Sequence, residues 1–262
     1  MADPAFVSVT EIDGLLELTE VVTITISADD RIVIFIHTAL DTVVSVVDTG
    51  GNTYSLLATV DSPSSRHVYA YATTAGSSAT SITVTFNSTT VIWNIKAYRV
   101  TGGSGFGNTG STSSNGTNPT MTVALQDANG LAVSSVGTQT SPGASAADVG
   151  TIRGTINYAN SQGSIFMTAI TNTSASPATV ECSVTYTNSG DYAGLIIEIR
   201  NAGAATCAPA LSMIGVGRCY FPLIGLEWFR RRKNKIARQI TGNGNGHAKP
   251  EDKIEKKDGA II

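Results

Sequence analysis

The chain has 262 residues, 42% of them hydrophobic but only 14% charged, against about 25% charged in an average soluble protein. That composition excludes a disordered chain, and the length suits one large or two small domains with a real core. The net charge of −3 hides an acidic body, with seven basic against sixteen acidic residues before position 230, and a basic tail with ten against four. Nucleic-acid binding by the body is therefore not expected.

The opening Met1-Ala2-Asp3-Pro4-Ala5-Phe6 lacks a basic stretch followed by an apolar one, so no secretory signal is read there. Residues 1–20 read as an N-terminal segment, a short strand followed by a loop or helical turn. From Val21 the alternation of β-branched and hydroxyl residues is clear. It predicts strands over 21–27, 31–37, 43–47, 54–60, 66–73, 81–86 and 91–100, with Asp29-Asp30 and Asp48-Thr49-Gly50-Gly51-Asn52 as turns. Residues 101–118 are almost entirely Gly, Ser, Thr and Asn, and read as either a linker between two lobes or a long surface loop. Strand patterns return at 120–125, 131–137, 151–158, 164–171, 178–187 and 193–200, and no helical period precedes residue 201. The predicted class is therefore all-β: a β-sandwich body over 21–200, as one large or two small sandwiches, with a lobe boundary at 101–118 if there are two.

Residues 201–240 form an apolar and basic docking segment, and 241–262 read as a disordered tail. Pro209, Gly215, Gly217, Arg218, Pro222 and Gly225 interrupt the apolar stretch. A membrane helix needs about 20 apolar residues, and a central Arg costs about 2.5–3.5 kcal/mol, so a membrane span is not expected. Trp228, Phe229, Arg230, Arg231, Arg232 and Lys233 are the candidate partner-binding residues, since aromatic groups beside concentrated positive charge suit an acidic partner or an anionic surface.

Residues with catalytic chemistry are sparse. Val46-Val47-Asp48-Thr49-Gly50 resembles the Asp-Thr-Gly signature of aspartic proteases, which requires two carboxylates sharing a proton. There is one such triplet here, so a dimer would have to supply the second, whereas Asp-Thr-Gly-Gly-Asn is also what a turn between strands requires. His37 reads as a half-buried strand-end histidine rather than a catalytic partner of Asp41. The turn carboxylates Asp29, Asp30, Asp48, Asp61, Asp127 and Asp148 lack the alternation of a calcium loop. Tyr54, Tyr69, Tyr71, Trp93 and Tyr98 form a sugar platform only if exposed together, and core packing is the simpler reading. Cys182, Cys207 and Cys219 match no zinc spacing and read as ordinary thiols. No catalytic residue, metal or cofactor is expected.

Residues 38–200 resemble a loose class of β-sandwich modules of phage, archaeal-virus and surface proteins. The pieces that carry the resemblance are Asp48 to Tyr54, Val68 to Thr73, Ala75-Gly76-Ser77-Ser78, Thr80 to Phe86 and Val91 to Val100, with Gly130 to Val133 and Gly194 to Arg200 in the later half. The resemblance implies a jelly-roll-like or immunoglobulin-like sandwich that acts as a structural or adhesive module. The expected function is that of a virion structural protein (capsid, decoration or tail) whose partners are copies of itself and other structural subunits. The alternative is a cell-surface adhesive or carbohydrate-binding module, or a filament subunit, held by its C-terminal segment. A dimeric aspartic protease is the third class.

Overall fold

The computed structural model describes residues 3–15, 17–38, 42–64, 66–88, 92–138, 145–157, 163–170 and 178–201. The candidate partner-binding residues Trp228 to Lys233 lie outside the described residues, as do Asp41, Cys207 and Cys219. The described chain is all-β, with every sheet antiparallel.

The first eight strands are β1 (Ala5–Leu15), β2 (Thr19–Ile26), β3 (Arg31–Thr38), β4 (Val43–Asp48), β5 (Ser55–Asp61), β6 (His67–Thr74), β7 (Ala79–Phe86) and β8 (Ile92–Thr101). They form a five-stranded sheet, β1-β8-β3-β6-β5, packed on a three-stranded sheet, β2-β7-β4. The next eight are β9 (Gly105–Gly116), β10 (Thr120–Ala124), β11 (Leu131–Thr138), β12 (Ser145–Val149), β13 (Thr151–Asn157), β14 (Gly163–Ile170), β15 (Thr179–Tyr186) and β16 (Gly190–Arg200). Their sheets run β9-β16-β11-β14-β13 and β10-β15-β12. Adding eight to every strand number of the first sandwich gives the second, so the chain is a tandem repeat of one sandwich. The order is that of a jelly roll, two Greek keys wound together, except that the fifth strand of each repeat joins the larger sheet instead of the smaller. It is not the immunoglobulin order.

The repeat is visible residue by residue at the turn into the third strand, where Asp29 and Asn129 both take positive φ, 69° and 58°. Asp and Asn tolerate that conformation better than other non-glycine residues. Each repeat also anchors this turn to its last strand. Arg99 donates from Nε to Asp30 at 2.6 Å, and Arg200 donates from Nε to Asp127 at 2.8 Å.

The hydrophobic pattern builds three cores from four sheet layers. Ile32, Ile34 and Ile36 of β3 meet Val22, Ile24, Ile26, Ile82, Val84 and Phe86 inside the first sandwich. Met121, Val123, Leu125, Cys182, Val184 and Ile196 fill the second. The third core lies between the two five-stranded sheets, where Val33, Phe35, Val68, Tyr98 and Val100 pack on Leu131, Val133, Leu195, Ile197 and Ile199. Strand β3 is therefore covered on both faces, which explains its unbroken apolar run. Across this core β3 meets β11, β1 meets β13 and β5 meets β9, as an approximate two-fold axis between β3 and β11 requires, and β16 also meets β5 and β6.

Two expectations are corrected. The N-terminal segment is not a short strand and loop: β1 is eleven residues long and pairs with β8 from Ala5 to Leu15. Residues 105–116 are not a linker or surface loop but strand β9, paired with β16. Its glycines make room: a Cβ on Gly107 would collide with the Glu198 carboxylate, and one on Gly110 with the carbonyl oxygen of Thr122. The change of repeat falls in the short turn at 102–104, where Gly102 and Gly103 have φ of 74° and 76°. Strand β12 has no counterpart among the expected strands.

Candidate functional site

The most unusual chemistry lies where the first repeat faces the second. Cross-strand register sets Glu11 of β1, Lys96 of β8 and Phe35 of β3 side by side, with Asp13, Asn94 and His37 in the next row. Asn94, Lys96, Tyr98 and Val100 are successive residues on one face of β8, and the second sandwich covers that face. Lys96 is completely buried, with its Nζ 3.8 Å from Glu11 Oε1. Burial pulls the ammonium well below its ordinary pKa, and the Glu11 carboxylate only partly restores it. Glu11 Oε1 is itself enclosed and makes no hydrogen bond among the described residues.

His37 is half-buried at the end of β3, as expected of it, but it reaches across the repeat boundary. Its Nε2 lies 2.6 Å from Ser135 Oγ on β11. Desolvation first, then the positive charges of Lys96 and Arg66, lower its pKa from 6.5 to about 3. The imidazole is therefore neutral at ordinary pH. Beside it, Tyr98 donates from its hydroxyl to the Ser134 carbonyl at 3.1 Å and stacks edge-on against Phe35 and Phe6. Arg153 of β13 lies 4.6 Å over the Phe6 ring, a cation–π contact between repeats.

The second repeat answers these bulky and polar groups with small or apolar ones. Gly137, Ala193, Leu195 and Ile197 hold the positions of His37, Asn94, Lys96 and Tyr98. At these four positions the site is thus a lock between two sandwiches, with charge and bulk on one wall and small or apolar residues on the other.

The sequence-predicted residues are placed as follows. Asp48 closes the β4–β5 turn, accepting hydrogen bonds from the Gly50 and Asn52 amides, the Asn52 side chain and the Tyr54 hydroxyl at 2.8–3.0 Å. Burial alone would raise its pKa, but the hydrogen bonds of Asn52, Tyr54 and Gly50 outweigh it and hold the carboxyl below its ordinary range. Asn52 also accepts from the Gly76 and Ser77 amides, tying the turn to the β6–β7 connection. This is the turn reading of Asp-Thr-Gly-Gly-Asn in full.

Asp61 pairs with His67 Nδ1 at 2.6 Å on the surface. Tyr54, Tyr69 and Tyr71 pack against the first core and Tyr98 is buried, so these four do not form an exposed platform; the Trp93 side chain lies outside the described residues. Cys182 is buried in the second core, where burial pushes its thiol up to about 11. Among the described residues no three His, Cys, Asp or Glu side chains are grouped to hold a metal, and no helix is long and apolar enough to cross a membrane.

Glu11, Lys96 and Ser135 were not singled out by sequence. The only signal was the alternation Asn94-Ile95-Lys96-Ala97-Tyr98, which reads as a strand with one wet face. No protein-family model matches the chain, and no characterised protein or solved structure matches it either.

Proposed function

We propose that the chain is a virion structural subunit that works by assembly. The observation that carries the reading is the tandem jelly-roll order, repeated strand for strand and fused face to face into a four-layer slab. Jelly rolls recur in viral capsids, lectins and cupins. A ligand-binding lectin or cupin would need a concave site or a ring of ligands. Here the conspicuous polar groups are consumed in joining the two sandwiches, and Tyr54, Tyr69, Tyr71 and Tyr98 pack against or within the cores. The acidic body and basic tail supply a further, electrostatic means of contact between subunits. The Trp228 to Lys233 segment is proposed as part of that contact.

Quantitative peptide mass spectrometry on purified particles, membranes and soluble material from the source culture tests this. High-copy enrichment in particles is the expected result. Enrichment in membranes instead would support the surface-module alternative and displace the virion reading.

A further inference from the structure

We propose that strand β4 is a self-association edge, at which two copies of the chain pair antiparallel through Val43–Val47. The inference rests on the reading of the chain as an assembling subunit and names one of its contacts.

In a jelly roll the fifth strand closes the sheet beside the fourth. Here β5 pairs with β6 on the larger sheet, so the smaller sheet ends at β4. Among the described residues nothing pairs with its outer side. Natural edges are usually guarded by Lys, Pro or inward-pointing charge. This one reads Val-Val-Ser-Val-Val, with a bulge at Val43/Ser45 but no charge until Asp48. Val44 is 63% exposed and Val47 51% exposed, while Val46 anchors the strand inward. Val21 of β2, 50% exposed, lies in the same cross-strand row, with Thr83 of β7 between it and Val47. The result is a neutral, β-branched rim on an otherwise hydroxyl-rich face.

The edge specifies its occupant. A charged peptide would set its charges against valines, whereas a second β4 brings the same neutral run. Two copies also oppose no free like charges along the strand, despite their acidic bodies, because Asp48 is engaged by four donors of its own turn. An antiparallel register centred on Val46 sets Val46 against Val46 on the inner side and Ser45 against Val47 on the outer. Two three-stranded sheets then become one of six, with the unpaired backbone groups of both edges satisfied.

Sedimentation velocity over a concentration series, combined with amide hydrogen exchange, tests the proposal on the full chain. The wild type is expected to self-associate and to slow exchange at Val43–Val47 as it does so. Val44→Lys and Val47→Lys should weaken association by about tenfold or more, since each sets a long hydrated side chain in place of a β-branched one on the edge, the device by which natural edges are kept from pairing. Thr25→Lys, on the exposed face of the opposite edge strand β2, should leave association unchanged. Wild-type association in both lysine variants, with unprotected β4 amides, would overturn the edge while leaving assembly through another surface intact. A chain that is monomeric throughout and absent from particles would overturn both readings. If a lysine variant fails to fold, the amide protection of the wild type decides alone.

Discussion

His37 and Gly137 hold equivalent positions in the two repeats, and they meet each other at the approximate two-fold axis. A Cβ on Gly137 would collide with the His37 ring, whose Cε1 would lie only 3.0 Å away. One repeat therefore keeps a large polar ring because the other has given up its side chain at the same place. The two sandwiches are similar in topology and complementary in bulk, which is what lets their equivalent sheet faces pack without colliding.

Gly137→Val should destabilise the chain by about 1–3 kcal/mol, the usual cost of overpacking. The urea midpoint reads the effect. His37→Ala in the same background should recover part of the loss, and strict additivity of the two changes would contradict the contact.

The pH dependence follows from the imidazole. Its folded pKa of about 3 lies below the ordinary 6.5, so between those values the unfolded chain binds a proton that the folded chain refuses. The stability linked to neutral His37 is complete above pH 6.5 and is lost as pH falls towards 3, at up to about 1.4 kcal/mol per pH unit. Unfolding midpoints between pH 7 and 4.5 measure this slope, and His37→Gln should flatten it. Asp48 adds to the loss only near and below its ordinary value of 3.8, because its folded pKa is depressed.

Lys96 and Glu11 should respond unequally. Glu11→Gln leaves a buried ammonium with less compensation and is expected to cost about 1–3 kcal/mol, less than a fully buried pair because Glu11 is partly exposed. Lys96→Met, which keeps the length of the side chain and removes the charge, should be neutral or stabilising. Thermal unfolding of both variants checks the order, and a larger loss for Lys96→Met would contradict the account.

Asp48→Ala should cost about 2–3 kcal/mol, because it strips the acceptor from Asn52, Tyr54 and Gly50 together. Tyr54→Phe should cost about 1 kcal/mol alone and less in the Asp48→Ala background. A double-mutant cycle measured by denaturant unfolding gives the coupling.

Gly110→Val distinguishes a strand from a linker. In β9 the new side chain would collide with the Thr122 carbonyl and the Ile196 side chain, so a loss of at least about 3 kcal/mol, or no folded protein, is expected. A linker glycine would tolerate the change, and unchanged stability would remove the β9–β10 packing from the account.

Most of the strands were legible because their chemistry is local. Ile24, Ile26, Ile82, Val84 and Phe86 alternate with Thr and Ser, and an alternating strand buries one face whatever surrounds it. Strand β9 was not legible, because Gly107 and Gly110 answer to neighbours on other strands and give the same composition as a flexible connector. Strand β1 was hidden for a similar reason, since Glu11 and Asp13 read as solvent-facing residues until β8 lies beside them.

An all-β sandwich class, the positions of most strands, the Asp48 turn, and the division into an acidic body and a basic tail can all be read from the order of residues alone. Each follows from side-chain period, turn preference or charge count, which act over a few residues or over the whole composition. That the sandwich occurs twice, that β5 joins β6 and leaves β4 at a sheet edge among the described residues, and that Asn94, Lys96 and Tyr98 face protein instead of water emerge from the packed sheets. An alternating strand reports that its two faces differ. It cannot report what covers the polar one, because that depends on a second sheet about a hundred residues away in the chain.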